Sequence, residues 1–210
     1  MIGFVEALRI SKGITAIIGS GGKTSLMLAL ARELSSSVIL CTSTRIYPPE
    51  GIPVLDGICH RVEGICCVGT PAEHGKLGSP LQDFRDLAQY ADYVLVEADG
   101  SKHLPLKAHA SYEPVIPEGC GRVVLVVGAS GMGKTVAEAV HRPHIFTALT
   151  GADCATPETV ALGIEKENLG DVIFINHADQ APQQARALGA LLQKPCCIGS
   201  VKKGEIQCLY

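Results

Sequence analysis

A glycine-rich run near the start of the chain combines residue types that bind the phosphates of a nucleotide. Glycines let the backbone turn tightly and present bare N–H groups to phosphate oxygens, and the positive end of a following helix dipole points at the same place. A lysine in such a run reaches the β- and γ-phosphates and serves catalysis, and a threonine hydroxyl binds Mg²⁺. The predicted nucleotide-binding residues of this run are Gly19, Ser20, Gly21, Gly22, Lys23, Thr24 and Ser25.

The flanking sequence predicts that this run joins a strand to a helix. The apolar segment 14–18 precedes it, and residues 25–34 repeat apolar side chains at three- and four-residue spacing. The usual phosphate-loop pattern starts with a glycine five residues before Gly22, where this chain has Ile17. The alternative is a glycine-rich turn with a solvated lysine. The position directly after the first buried strand favours phosphate binding.

Two acids follow another apolar segment, residues 93–96. Glu97 and Asp99 stand two positions apart, so they share one face of an extended chain. Carboxylate oxygens suit Mg²⁺, and we expect Asp99, more than Glu97, to be the metal-site acid, with both taking part in catalysis. Lys102 and Lys107 could neutralise phosphate or an anionic second substrate, Lys102 being a catalytic candidate. The alternative is an acidic turn, since Asp-Gly is a common turn dipeptide.

Hydroxyl side chains follow the second predicted strand, residues 38–41. The sequence Thr42-Ser43-Thr44-Arg45 would lie at the carboxyl edge of a parallel sheet, where ligands bind in open α/β folds. On this interpretation Thr44 lies near Mg²⁺ or its waters, and Arg45 lies near phosphate. The alternative is a polar turn whose hydroxyls bond to the local backbone.

A second match to the phosphate-loop pattern occurs at Gly128–Thr135. The helix predicted after it, Val136 to Arg142, would be stopped by Pro143 and contains only Val and Ala as apolar residues. No acid-terminated strand follows at a useful distance. We therefore rank the first run above this one, which could still line the same pocket.

A guanine-reading motif is suggested near the C-terminal end of the chain. Asn176 and Asp179 follow the apolar strand 172–175, with Ser200 after the next strand. In such a pocket the aspartate binds the base and the asparagine braces the loop. Both residue types also favour turns and helix caps. His177 stands where lysine is usual, so the sequence does not decide between ATP and GTP as the bound nucleotide.

Composition predicts an α/β protein. Of 210 residues 47% are apolar and only 4% aromatic, which suits a Val/Ile/Leu/Ala-rich core. We expect one P-loop NTPase-like domain over residues 1–210, a mostly parallel sheet flanked by helices on both faces, with a less regular lobe at about 46–91. A net charge of −3 without a basic run argues against a nucleic-acid partner. No apolar run approaches a membrane span and no signal peptide is evident, so we expect a cytoplasmic protein.

Nine cysteines are present without a Cys-x-x-Cys pair or a disulfide framework. We expect reduced thiols that mostly act as small core residues. Cys41 is the candidate for reactivity, because it adjoins the turn at 42–45 and nearby cations would lower its pKa.

Taken together, these segments resemble the YqeC family, accessory proteins of selenium-dependent molybdenum hydroxylases. The block Glu-Ala-Asp-Gly-Ser-Lys at 97–102 is the most specific part. Departures are His103 where glycine is expected, Arg45 where lysine is usual, and His177 for lysine. The matching segments are residues 19–24, 42–46, 75–78, 94–102, 104–108, 113–117, 140–143 and 176–179.

The resemblance implies a P-loop NTPase-like factor that uses Mg²⁺ and ATP or GTP while maturing a client molybdenum hydroxylase, alone or with the client's other maturation proteins. Two alternatives stay open. One is a small-molecule kinase or ligase, in which the 46–91 lobe together with Lys102, Lys107 and Arg142 holds an anionic acceptor. The other is a non-catalytic carrier that holds selenium or sulfur on a cysteine, with Cys41 foremost.

Overall fold

A nine-stranded central sheet organises the protein in the computed structural model, which describes residues 2–209. Its inner strands are almost wholly buried apolar runs, as expected for a parallel sheet covered on both faces. In chain order the strands are β1 (Gly13–Gly19), β2 (Val38–Thr42), β3 (Val54–Leu55), β4 (Ile65–Val68), β5 (Tyr93–Glu97), β6 (Cys120–Gly128), β7 (Val172–Asn176), β8 (Cys196–Ser200) and β9 (Glu205–Leu209).

The strand order across the sheet is β9-β8-β7-β6-β1-β5-β2-β4-β3. Neighbouring strands are parallel except β8 and β9, which are antiparallel. Strand β1, which leads into the glycine-rich run, lies between β6 and the acid-terminated β5. Because parallel strands end at the same edge, the polar residues that follow β1, β5 and β2 are brought together there.

Seven α-helices are described between residues 2 and 209. Three of them start with proline in the first turn, where the missing N–H costs no hydrogen bond. No helix in this part of the chain is long and apolar enough to cross a membrane. The helices are α1 (Phe4–Ala7), α2 (Lys23–Glu33), α3 (Phe84–Tyr90), α4 (Val136–Ala139), α5 (Pro143–Thr150), α6 (Pro157–Glu167) and α7 (Pro182–Leu191).

Helices cover both faces of the sheet. On β5, Leu95 joins the core under α1 and α2, while Val94 and Val96 join the core under α3 on the opposite face. Helices α6 and α7 continue that second face. The rings of Phe4 and Phe174 meet edge-on, 5.7 Å apart, where α1 closes the first face. The predicted α/β class with a mostly parallel, doubly covered sheet is confirmed, and it is consistent with a P-loop NTPase-like fold.

The sequence prediction for the segment around Pro143 is wrong. Helix α4 ends at Ala139, and residues 140–141 form a short strand paired with Leu106–Lys107. Pro143 does not stop a helix but begins α5, because its fixed φ suits a first helical position.

The lobe predicted at 46–91 contains more regular structure than its sequence indicates. It supplies β3 and β4 to the edge of the main sheet. Helix α3 starts at Phe84, where the Asp83 side chain accepts the N–H of Arg85 at 2.8 Å and caps the helix. A small separate sheet is formed by Arg45–Ile46, Leu77–Gly78 and Thr70–Pro71.

Candidate nucleotide-binding site

The glycine-rich run forms a tight turn between β1 and α2 that requires glycine. Gly19, Gly21 and Gly22 have φ angles of +92°, +86° and +117°, in the left-handed region. A Cβ on Gly21 would lie 2.5 Å from the Cα of Gly128, and one on Gly22 would lie 2.5 Å from Nδ2 of Asn176. Side chains are therefore excluded here by both backbone shape and close packing.

The start of α2 offers unpaired N–H groups. The cap residue Gly22 makes no side-chain hydrogen bond, and the N–H groups of Lys23, Thr24 and Ser25 have no acceptor among the described residues. The same three residues line a cavity. Because free N–H groups and the helix dipole both attract negative charge, this turn suits a phosphate group.

Lys23 is buried at the floor of this turn, with only 3% of its side chain exposed. Its Nζ donates to the carbonyl of Gly19 at 2.8 Å and to Oγ of Ser101 at 3.2 Å. It also lies 3.1 Å from Oδ1 of Asp99 and 3.6 Å from Oε1 of Glu97. These contacts fix the ammonium group behind the loop, where it can neutralise charge that enters the cavity.

Thr24 and Glu97 are joined directly. The Thr24 hydroxyl donates to Oε2 of Glu97 at 2.6 Å. Burial raises the pKa of Glu97, and the charge of Lys23 and the hydrogen bond from Thr24 offset part of that rise. Both residues line the cavity, so two adjacent oxygens face it. Mg²⁺ is commonly held by one or two protein oxygens together with substrate phosphates, and this pair fits such a site.

Asp99 occupies a different environment from the one we expected. It is fully buried, accepts the N–H of Gly19 at 2.8 Å, and lies near Lys107 (3.2 Å) and Lys23 (3.1 Å). Burial opposes its ionisation, but a hydrogen bond from His109 and the lysine charges outweigh burial and lower its pKa to about 2. Asp99 thus anchors the loop from below, and Glu97 is the acid beside Thr24.

His109 is a site residue that the sequence did not reveal. Its Nε2 lies 2.8 Å from Oδ2 of Asp99, and its Nδ1 lies 2.8 Å from Oε2 of Glu167 at the end of α6. Burial disfavours the charged ring, but these two carboxylates outweigh it and raise the pKa of His109. The ring therefore connects α6 to the acid beneath the phosphate loop.

The cavity above the loop has a volume of about 850 Å³, in the range of small-molecule sites. Nine of the 17 predicted site residues line it, including Thr44 and Arg45 after β2. Thr44 is held by its N–H, which donates to Oγ1 of Thr42 at 3.0 Å. The described residues that line the cavity are Gly21, Gly22, Lys23, Thr24, Ser25, Thr44, Arg45, Ile46, Tyr47, Lys76, Glu97, Gly100, Ser101, Lys102, His103, Leu104, Glu113, His141 and His177.

Two predicted cations are already paired and do not line the cavity. Lys107, 1% exposed, lies 2.8 Å from Oε2 of Glu113 and donates to the carbonyl of Gly100 at 2.5 Å. Arg142 lies 3.0 Å from Oε1 of the same Glu113 and bonds the Tyr112 hydroxyl. Both cations are thus neutralised within the fold and lie away from the cavity lining, and a role for them in holding an anion stays a prediction. Ser20 is likewise buried, donating to the carbonyl of Leu104.

Asn176 acts as a brace. Its Nδ2 donates to the carbonyl of Gly21 at 2.8 Å, and its Oδ1 accepts the N–H of Val201 at 3.0 Å. Asp179 and Ser200 do not line the cavity above the loop and border a separate groove beside α7. A hydrogen bond from Ser200 lowers the pKa of Asp179. The structure thus separates the three residues into a brace, Asn176, and a pair formed by the exposed Asp179 and the buried Ser200.

The second phosphate-loop pattern does not form a strand–loop–helix unit. Lys134 is exposed in a two-residue strand paired with Cys154–Ala155, and α4 after it has four residues. Gly128 packs against Gly21, and Ser130 Oγ lies 2.8 Å from Nδ1 of the cavity residue His177. This segment therefore supports the first loop.

The cysteines are free thiols, and Cys41 does not reach the ligand edge. It is fully buried, and burial followed by the neighbouring Cys67 and Cys66 raises its pKa well above the ordinary value. The expectation of a lowered pKa is wrong because Cys41 points into the core under α3. Among residues 2–209 no group of three or more His, Cys, Asp or Glu could hold a metal alone.

Comparison with known proteins gives a family match. The model of a family described as YqeC protein matches residues 15–144, more than half of the chain. The uncharacterized protein YqeC of Escherichia coli (strain K12) is 28% identical over 223 residues, which is 92% of this chain and 80% of that protein. No solved structure matches the chain.

Proposed function

Because the chain belongs to the YqeC family, we propose that it is an accessory protein that binds ATP or GTP with Mg²⁺ and hydrolyses it. We further propose that its client is a selenium-dependent molybdenum hydroxylase, or the proteins that mature that enzyme. The hydrogen bond between Thr24 and Glu97, beside the buried Lys23, is the observation that carries the nucleotide proposal. It pairs a phosphate-loop hydroxyl with the acid of the adjacent strand.

Different groups of the chain bind different parts of the triphosphate in this proposal. The N–H groups of Lys23, Thr24 and Ser25 and the positive end of α2 face the phosphates. Lys23 exchanges part of its contact with Glu97 and Asp99 for the terminal phosphates. Thr24 and Glu97 would hold Mg²⁺, which would supply positive charge to neutralise the phosphates. The Glu97 carboxylate would also accept a hydrogen bond from the attacking water.

The buried contacts of Lys23 provide a route from nucleotide to protein surface. Lys23 touches Ser101 and both acids, and residues 100–104 form a cavity wall directly after them. A phosphate that draws Lys23 away from Ser101 and the two acids therefore changes the contacts of this wall. Nucleotide-dependent loop states of this kind control partner docking in other switches. We propose that client binding is coupled in this way.

Phosphate release from ATP and GTP, with and without Mg²⁺, tests this proposal. We expect release that requires Mg²⁺ and is lost in Lys23→Ala, while Lys134→Ala behaves as the wild type. Lys134 is a matched control because it belongs to the other phosphate-loop pattern and is exposed. Absence of turnover under every condition, including addition of a client hydroxylase, would refute the hydrolytic part.

A further inference from the structure

The cavity continues beyond the place of a terminal phosphate. The sheet order puts β7 and its His177 on one side of β1, and β5 and β2 on the other. Metal bridges the β- and γ-phosphates in P-loop sites, so the Thr24–Glu97 pair marks where the triphosphate ends. Its terminal phosphate then points toward the β5–β2 side. Residues lining the cavity on that side lie past the nucleotide.

Cations from two separate elements form the walls of this far part. Arg45 lies in the small sheet, and Tyr47 and Lys76 directly adjoin its strands. The ring centre of Tyr47 lies 5.0 Å from Lys76 Nζ. Lys102 and His103 come from the turn after β5. Among the described residues no carboxylate pairs with Lys76 or Lys102, and Arg45 meets only the exposed Glu73 at 3.5 Å.

The acids of the cavity do not neutralise these cations. Glu97 is paired with Lys23, and Glu113 is held between Lys107 and Arg142. The far part of the cavity therefore has an excess of positive charge. Like charges repel when they are brought together without a counterion, so such a set indicates a place for an anion.

The turn after β5 has a strained backbone at two residues whose side chains line the cavity. Lys102 and His103 are consecutive non-glycine residues with φ of +48° and +61°. Left-handed backbone at two successive side-chain-bearing residues is strained, and such strain is concentrated at ligand clamps. Glycine at position 103 would relieve the strain but would remove an imidazole from the cavity wall.

We infer that the far part of the cavity is a second ligand subsite for a small molecule with two or more carboxylate or phosphate groups. Lys76 and Arg45 bind it from the lobe, Lys102 and His103 bind it from the opposite turn, and Tyr47 covers its carbon skeleton. This subsite rests on the proposed function, because its position is defined by the bound triphosphate. The exposed Tyr47 and Arg45 leave it open to solvent for entry of the ligand.

Calorimetric titration of two probes tests the subsite: citrate, which carries only carboxylates, and fructose 1,6-bisphosphate, which carries only phosphates. The protein is first saturated with Mg²⁺ and a non-hydrolysable triphosphate analogue, so that neither probe enters the phosphate loop. We expect at least one probe to bind, and Lys76→Ala and Lys102→Ala each to weaken it about tenfold, the value of one charge-assisted contact. Lys134→Ala should bind as the wild type.

Each outcome separates the subsite from the nucleotide site. Binding of either probe or of both that is weakened in Lys76→Ala and in Lys102→Ala supports the subsite, and the probe that binds identifies its anion. Binding to the nucleotide-loaded protein that neither variant weakens overturns the subsite. A nucleotide-loaded protein that binds neither probe overturns the subsite and leaves the nucleotide proposal standing. If the triphosphate analogue itself does not bind, the nucleotide proposal fails. If, in that case, the probes bind the free protein with the same affinity in Lys76→Ala and Lys102→Ala as in the wild type, the subsite is overturned as well.

Discussion

Thr24 and Glu97 are 73 positions apart in the sequence, and the Thr24 hydroxyl donates a 2.6 Å hydrogen bond to the Glu97 carboxylate. The contact arises because β1 and β5 are adjacent and parallel, so the residue after the phosphate-loop lysine meets the acid that ends β5. It assigns different tasks to two acids that look equivalent in the sequence. Glu97 faces the cavity, while Asp99 holds the loop from beneath.

We predict that Glu97→Gln removes the Mg²⁺ dependence of nucleotide binding. The amide keeps the size of the side chain but loses the charge that attracts the cation. Nucleotide affinity measured in Mg²⁺ should fall to the value measured in EDTA, whereas affinity in EDTA should change little. Glu63→Gln, at an exposed acid away from the cavity, is the control. Retained Mg²⁺ dependence in Glu97→Gln would assign the metal to another acid.

Asp99→Asn should destabilise the folded protein. The change leaves Lys23, Lys107 and His109 without the buried charge that they share. Removal of one partner from a buried ionic cluster costs about 3–5 kcal/mol. Urea denaturation of the wild type, Asp99→Asn and Glu97→Gln should show the larger loss for Asp99→Asn. Equal losses in the two variants would contradict the division of roles.

Gly22→Ala should abolish nucleotide binding, while Gly133→Ala should not. Both glycines have positive φ, +117° and +88°, so both substitutions strain the backbone. Only at Gly22 would the new Cβ collide, 2.5 Å from Asn176 Nδ2, whereas nothing lies within 4 Å at Gly133. Filter binding of labelled nucleotide compares them. Normal nucleotide binding by Gly22→Ala would contradict this prediction, because it would show that the loop accommodates a Cβ next to Asn176.

The bridge formed by His109 predicts a pH-dependent contribution to stability. Its folded-state pKa is raised by Asp99 and Glu167 against the opposing effect of burial. A raised pKa gives stabilisation that is complete below the unfolded value of about 6.5 and is lost as the pH rises through the folded pKa. The difference in unfolding free energy between the wild type and His109→Gln should therefore shrink as the pH rises above about 6.5. The same difference at every pH would contradict the bridge, and His144→Gln, at an exposed histidine, is the control.

Thiol mapping distinguishes the nucleotide proposal from a cysteine carrier. Cys59 and Cys154 are exposed, whereas Cys41 is buried with a raised pKa. We expect iodoacetamide to modify Cys59 and Cys154 first in the native protein, and Cys41 only after denaturation, as read by peptide mass spectrometry. Rapid modification of Cys41 in the native protein would instead support Cys41 as a carrier of selenium or sulfur.

Local patterns in the sequence were sufficient for the inner strands of the sheet and for the glycine-rich turn between β1 and α2. Buried strands are continuous apolar runs, and the loop is marked by glycines that the turn geometry requires. The sequence could not show which of Glu97 and Asp99 faces the cavity. Side chains alternate along a strand, so both acids lie on one face, and only their contacts in the fold distinguish them.

The His109–Glu167 contact was equally hidden. It joins residues 58 positions apart that share no motif, and it depends on how α6 packs against the sheet. The pairing of Lys107 and Arg142 with Glu113 escaped prediction for the same reason. A cation in a sequence shows its charge but not the acid that will neutralise it.

Calorimetric titration of ATP and GTP, each with and without Mg²⁺, is the most direct test of the central claim. It compares the wild type with Lys23→Ala and Lys134→Ala. We predict Mg²⁺-enhanced binding of at least one nucleotide that is lost only in Lys23→Ala. Loss only in Lys134→Ala would place the site at the other loop, and a wild type that binds neither nucleotide would contradict the account.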